Sequence, residues 1–275
     1  MMQFVQEKMQ GISRNKAKSI LTGQGITVNN QIITRFDHLL KVGEKVKISK
    51  HKRSQELKNQ FVKMVYEDRW IMVIEKNVGV LSMGNSSNTF CVKTILDDYL
   101  KKKHLKCTAH VVHRLDRDTS GLMIYAKTQE AQDILEENWH DIVTDRRYIA
   151  VVYGAMEENS GSIESWLKDN KAFVTYSSPQ DNGGKYALTY YRTIKVGQEF
   201  SLVELKLDTG RKNQIRVHMS DLSHPVVGDV KYGMGSSPIG RLALHAFRLN
   251  FYHPITNEML TFETPYPKPF IHLVR

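Results

Sequence analysis

Chemistry concentrates first in the segment His113-Arg114-Leu115-Asp116-Arg117-Asp118-Thr119-Ser120-Gly121. Two carboxylates and two guanidiniums alternate over residues 114–118, between apolar stretches. A carboxylate beside an arginine is favoured in its charged form. Thr119, Ser120 and Gly121 supply a tight turn with side-chain caps. An ionised carboxylate held at the end of a rigid strand is what a nucleophile or a general base requires. Read locally, the segment fits either that or a turn laced with surface ion pairs.

Two further segments carry reactive side chains. Thr209-Gly210-Arg211-Lys212-Asn213-Gln214-Ile215-Arg216-Val217-His218 gathers cations behind an apolar run. Arg211 and Arg216 there can grip a phosphate or pair with a carboxylate in a two-pronged fashion. Arg146-Arg147-Tyr148-Ile149-Ala150-Val151-Val152-Tyr153-Gly154 reads in isolation as a strand with aromatics. His104, Cys107, His110 and His113 recur every third residue, a spacing that on a helix suggests a metal site. On a strand the same spacing alternates faces, so no metal is expected. His218, His224 and His245 are read as hydrogen-bonding core or groove residues.

Something must position these groups. The body reads as short strands at Val62–Tyr66, Trp70–Glu75, Gly79–Ser82, Gly121–Ala126, Arg147–Tyr153, Ala187–Ile194, Ser201–Leu207 and Gln214–His218. Helices are expected over Thr94–Lys103 and from a Thr128 cap to about His140, where Ala131, Ile134, Leu135 and Trp139 share a face. Strands dominate and helices are scattered, so the fold class is α+β with a largely antiparallel, mixed sheet.

Charge divides the chain. Residues 1–53 hold eleven Lys or Arg and three acids, whereas the other 222 residues hold 28 bases against 26 acids. A small basic head on a near-neutral body points to a module for a polyanion. Ser13 caps a helix over Arg14–Thr22, with Ala17, Ile20 and Leu21 on one face, and Gly23 and Gly25 end it. Ile26–Val28, Asn29-Asn30 and Gln31–Thr34 form a hairpin, and Val42–Ile48 a last strand. The expected division is a head over 1–50, a polar linker over 51–61 and a body over 62–275. No run approaches the roughly 18 apolar residues of a membrane span, and the N-terminus has no apolar signal core. Two cysteines, Cys91 and Cys107, exclude a disulfide scaffold and suit a reducing cytoplasm.

The head stretch "GISRNKAKSILTGQGITVNNQIITRFDHLLKVGEKVKI" resembles the αL RNA-binding domain of ribosomal small-subunit proteins. That resemblance implies that Arg14, Lys16 and Lys18 contact RNA phosphates. The family's usual Leu-Asp-Lys-Phe type opening is replaced by Gln3-Phe4-Val5, so a short first helix is expected. In the body, "VVHRLDRDTSGLMIYAK", "RRYIAVVYG" and "LDTGRKNQIRVHMSDLSHPVVGDVKYG" resemble the RluA-type RNA pseudouridine synthases. "YEDRWIMVIEKNVGVLS" and "RLALHAFRLNFYHPITNEMLTFETPYP" match the same family in the same order, so the resemblance covers about residues 62–270.

The resemblance implies the pseudouridine synthase fold and isomerisation of uridine to pseudouridine in RNA. The substrate expected from it is large-subunit ribosomal RNA, with transfer RNA the alternative. It implies a monomer in the cytoplasm, and no metal or nucleotide cofactor. Asp116 is then the nucleophile or the base that starts glycosidic cleavage. Tyr148 stacks on the uracil and helps remove the carbon-5 proton, Arg216 pairs with Asp116, and Arg114 fills the stack left by the flipped nucleotide. Arg211, Gln214 and Ile215 are expected at the substrate. Flipping costs a few kcal/mol, and each stacked contact returns about 1–3 kcal/mol. The chain departs from the family at Asn213, where His is common, and at Lys76-Asn77, where Lys-Pro is usual. Two rival functions are a non-catalytic RNA-binding factor and a metal-dependent nuclease or phosphatase built on Asp116 and Asp118.

Overall fold

A computed structural model describes residues 1–9, 11–22, 26–29, 31–33, 36, 38–48, 57–84 and 89–275, with backbone only at 16, 19, 22, 31 and 32. The chain forms two compact units, Met1–Leu57 and Lys58–Arg275. Gly23, Gly25, Asn30, Thr34, the Lys16 side chain and linker residues 51–56 lie outside the described residues.

In the first unit the apolar spacing does what it predicts. Helix α2 (Arg14–Thr22) follows α1 (Met2–Lys8), and Ala17, Ile20 and Leu21 are buried against Val5 and Ile26. The Gln3-Phe4-Val5 opening thus forms a helix of its own. Strands β1 (Ile26–Val28) and β2 (Gln31–Ile32) pair antiparallel, with Val28 opposite Gln31 and Asn29 in the left-handed region at φ 50°. Strand β3 (Val46–Ile48) adds to the other side of β1, and is shorter than its alternating sequence suggests. Arg14 and Lys18 are exposed.

The second unit is built on one sheet. Its elements are β4 (Val62–Glu67), β5 (Ile71–Lys76), α3 (Val92–Lys102), β6 (His110–Val111), β7 (Ser120–Ala126), α4 (Gln129–Glu137), α5 (Trp139–Ile142) and β8 (Val143–Tyr153), followed by β9 (Ser160–Asp169), β10 (Thr175–Ser178), β11 (Lys185–Val196), β12 (Phe200–Leu207), α6 (Gln214–Asp221), β13 (Leu244–Tyr252), β14 (Met259–Glu263) and α7 (Lys268–Leu273). Strands run in the order β10-β9-β11-β12-β8-β13-β7-β5-β4, with β14 on β13 and β6 on β7. Every described pairing in this sheet is antiparallel except β7 with β13, where Ser120 lies opposite His245 and Gly121 opposite Ala246. The fold is α+β, as expected.

Strand β7 is buried along its whole length. Leu122, Ile124 and Ala126 pack with Ile71, Val73, Ala131, Leu135 and Phe251 into a core cluster. The other face of β7 meets Ser82, whose backbone carbonyl accepts from the Tyr125 hydroxyl at 2.8 Å. Gly121 has φ +127°, and a Cβ there would collide with the Ala246 backbone oxygen. Only glycine allows β13 to lie this close.

Three local expectations change. Residues Gln214–His218 form the start of α6 and not a strand. Ile215 and Val217 mimic strand alternation, but Asn213 turns the chain in the left-handed region at φ 54°, and Val217 N bonds to Asn213 O at 3.0 Å. Tertiary setting here overrides β-branched propensity. Gly79–Ser82 contributes only a bridge between Leu81 and Cys91. The helix capped by Thr128 breaks at Asn138 into α4 and α5. Among the described residues, no helix is long and apolar enough to cross a membrane.

Candidate active site

The loop before β7 holds Asp116, and its backbone is fixed from both sides. On one side, the Ser82 hydroxyl donates to Leu115 O at 2.6 Å and accepts from Leu115 N at 3.1 Å. On the other, Arg117 O accepts from Gly79 N at 2.9 Å and from Lys76 Nζ at 3.0 Å. Lys76 is fully buried and gives its remaining bonds to the carbonyls of Asn77 and Val80, both at 2.9 Å. Burial lowers its pKa to about 8, against the charges of Asp118 and Asp116, so it is still an ammonium at neutral pH. Thr119 N closes the turn onto Asp116 O at 3.2 Å. At the loop's start His113 Nε2 accepts from Ile124 N at 2.9 Å, and burial pushes its pKa down to about 3.

Helix α6 brings Arg216 to this loop. Its Nη1 lies 3.4 Å from Asp116 Oδ2, a loose contact. Its tight partner is Asp229, which accepts from Nε at 2.7 Å and from Nη2 at 2.8 Å. Nη1 also donates to Asn213 Oδ1 at 2.9 Å, and the guanidinium lies 5.2 Å from the Tyr232 ring centre. The Asp229 side chain has no exposed surface, and its Oδ1 further accepts from Lys231 N and Tyr232 N. Burial works against charge on both partners, but their mutual bonds prevail: the Arg216 pKa is raised and that of Asp229 lowered.

Tyr148 comes from β8, where it lies opposite Leu205 of β12 and Ala246 of β13. Burial raises its pKa; the positive Arg146 opposes this and the negative Asp116 adds to it. The phenol is therefore neutral at physiological pH. It presents a ring and can pass on a proton only by releasing its own.

Asp116, Tyr148 and Arg216 line a single cleft, together with Arg114, Arg211, Gln214 and Ile215. All seven body residues singled out in the sequence meet there. Leu115, Thr119, Leu207, Asn213 and Leu244 complete the lining. Gln214 is a wall of the cleft with its amide fully engaged inside the protein. Its Oε1 accepts from Arg211 N and the Thr209 hydroxyl, and its Nε2 donates to Leu188 O and to Thr189 Oγ1. Arg14 and Lys18 belong to the first unit.

Sequence reasoning missed Asp229, although it lies in the "HPVVGDVKYG" stretch. It also missed the Ser82 bracket, for which the sequence carries no signal. Asn213, in the position of the family's His, fills two roles: acceptor for Arg216 and donor to the Tyr232 hydroxyl at 3.1 Å. The three histidines read as core or groove residues are hydrogen-bonded. His218 bridges Ser165 and Thr189, His245 bridges Ser120 and Thr264, and His224 meets Tyr153 O. Among the described residues, no three His, Cys, Asp or Glu side chains are placed to hold a metal ion.

Comparisons with known proteins point the same way. The family model for RNA pseudouridylate synthase matches residues 70–221. YjbO of Bacillus subtilis, an uncharacterized RNA pseudouridine synthase, is 34% identical over 271 residues, covering 96% of this chain and 95% of the relative. The ribosomal large subunit pseudouridine synthase D of Vibrio cholerae is 33% identical, covering 98% of this chain and 89% of the relative. Among solved structures, human RNA pseudouridylate synthase domain containing 1 aligns with a TM-score of 0.61 at 27% identity, covering 76% of this chain and 84% of that one. The chain belongs to the RNA pseudouridine synthase family, and is an enzyme that isomerises uridine in RNA.

Proposed function

We propose that this chain converts specific uridines of large-subunit ribosomal RNA to pseudouridine, with Asp116 starting cleavage of the glycosidic bond. The reaction breaks the bond between ribose and ring nitrogen and joins the same ribose carbon to ring carbon 5. One proton leaves carbon 5 and one is gained at nitrogen, so neither redox cofactor nor hydrolytic water enters the balance. The observation that carries this reading is the convergence of Asp116, Tyr148 and Arg216 on one cleft from three separate elements. Asp116 acts there as nucleophile or as base. Arg216, locked to Asp229, fixes the direction from which Asp116 works, and its loose 3.4 Å contact leaves Asp116 able to leave it. The neutral Tyr148 ring stacks on the uracil and relays the carbon-5 proton. Arg114 occupies the gap left by the flipped base.

The ribosomal substrate is supported by relatives named for the large ribosomal subunit. The basic first unit, with Arg14, Lys16 and Lys18, grips RNA backbone in this reading, in the manner of the αL domains that it resembles. The enzyme works as a monomer in the cytoplasm. Mapping pseudouridines in large-subunit ribosomal RNA incubated with the wild type and with Asp116→Asn tests the assignment. New pseudouridine at one or a few positions with the wild type alone is the expected result. Modification confined to transfer RNA would overturn the ribosomal substrate, and equal modification by both proteins would overturn the role of Asp116.

A further inference from the structure

A second cleft of about 380 Å³ adjoins the catalytic one, and Arg211 lines both. It lies where the end of β9 meets the start of β11, and its walls carry Lys168, Lys185, Arg211 and Lys212. Asp169 is its one acid. That carboxylate is already taken, by Lys212 Nζ at 2.6 Å and the Thr175 hydroxyl at 2.6 Å, and these two bonds hold its pKa down. The other three cations have no carboxylate within salt-bridge distance among the described residues. Lys168 is steadied by a backbone carbonyl, Asn182 O, at 2.9 Å. Arg211 is steadied through Nε on Tyr186 O at 2.9 Å, which leaves its two terminal nitrogens for another partner. Two cations anchored on carbonyls and a third, Lys185, on the same wall, with the cleft's acid already paired, make a site for a strong anion.

The neighbouring β9–β10 turn adds a second kind of group. Phe173 is 75% exposed and has φ 57°, an uncommon conformation for a bulky residue. Hydrogen bonds fix the turn: Asn170 Oδ1 accepts from Ala172 N and Val174 N, and Phe173 O accepts from Lys212 Nζ at 3.2 Å and Lys231 Nζ at 3.0 Å. An exposed ring on a fixed turn, tied through Lys212 to a cleft that carries three cations without carboxylate partners, is the combination that takes single-stranded nucleic acid: phosphates on the cations and a base on the ring.

We propose that this cleft is a second RNA subsite, which holds the backbone phosphates of the strand flanking the target uridine, with a flanking base stacked on Phe173. The proposal rests on the synthase reading. It assigns Lys168, Lys185 and Phe173 to substrate positioning outside the reacting centre. The shared Arg211 carries the strand from one cleft into the other.

The test compares Lys168→Gln/Lys185→Gln with the equally discharged control Lys102→Gln/Lys195→Gln, whose two lysines are exposed elsewhere. The probe is transcribed large-subunit ribosomal RNA. The subsite variant should bind with a plot of log affinity against log salt shallower by about 1.4 than the control, two phosphates at about 0.7 each. Its KM should rise several-fold with a smaller change in kcat, and Phe173→Ala should raise KM without altering the salt slope. Salt slope and KM equal to those of the control would overturn the subsite. Because the slope is read from binding, a wild type that binds RNA but makes no pseudouridine would count against the activity and not against the cleft.

Discussion

At the scale of single residues, the cleft is organised by competition for Arg216. Asp229 holds two of its nitrogens at 2.7 and 2.8 Å, whereas Asp116 sits at 3.4 Å. The buried carboxylate supplies charge balance, and the reacting carboxylate keeps some freedom. Asp229→Ala leaves the largely buried guanidinium without its main partner, which should cost about 3–5 kcal/mol of stability. Urea unfolding measures this, and a loss under about 1 kcal/mol would show that Asp116 can replace Asp229. The sequence points to Asp116 and Arg216 through charge-rich local segments, and to Tyr148 only through the family resemblance, because its own segment reads locally as a strand with aromatics. Asp229 was not legible, since nothing local in Gly228-Asp229-Val230 says that a partner thirteen residues earlier will be folded against it.

At the scale of elements, the site depends on how closely β13 approaches the end of β7. Gly121 is what permits it. Gly121→Ala sets a methyl group against the Ala246 backbone and demands a φ of +127° that alanine resists. The expected outcome is a destabilisation above about 3 kcal/mol with loss of activity; a soluble variant with native melting would contradict the close approach. The sequence showed most of the central strands, β5, β7, β8 and β12, because their apolar runs are bounded by turn residues. It did not show β9, β10, β13 and β14. In β9 the apolar positions are spaced among exposed polar ones, with Ser165 and Leu167 buried and Glu164 and Lys168 exposed, so no continuous apolar run marks the strand. It misread α6 because the helix begins at a left-handed asparagine that no local pattern announces.

At the scale of the whole molecule, two units of different character are joined. The basic first unit should contribute grip: removing residues 1–57 should weaken RNA binding and flatten its salt dependence by about 0.7 log units for each phosphate that is no longer held. An unchanged slope would mean that this unit does not touch the RNA. The second unit should be acid-sensitive. His113, His218 and His245 are held neutral by burial, with pKa values lowered to about 3, 4 and 4 from 6.5. The unfolded chain takes up these protons first. Stability from these groups is therefore complete above about pH 6.5 and is lost as pH falls towards 4, by up to about 3 kcal/mol for each of the buried His218 and His245 rings. Melting temperatures at pH 7.5 and 5 measure this, and equal values would contradict it.

If Asp116 drives the isomerisation at uridine, release of the carbon-5 proton reports that step directly. Large-subunit ribosomal RNA transcribed with uridine tritiated at carbon 5 should lose tritium to water with the wild-type protein and retain it with Asp116→Ala. Tritium release of equal extent from both proteins would show that Asp116 does not start the reaction.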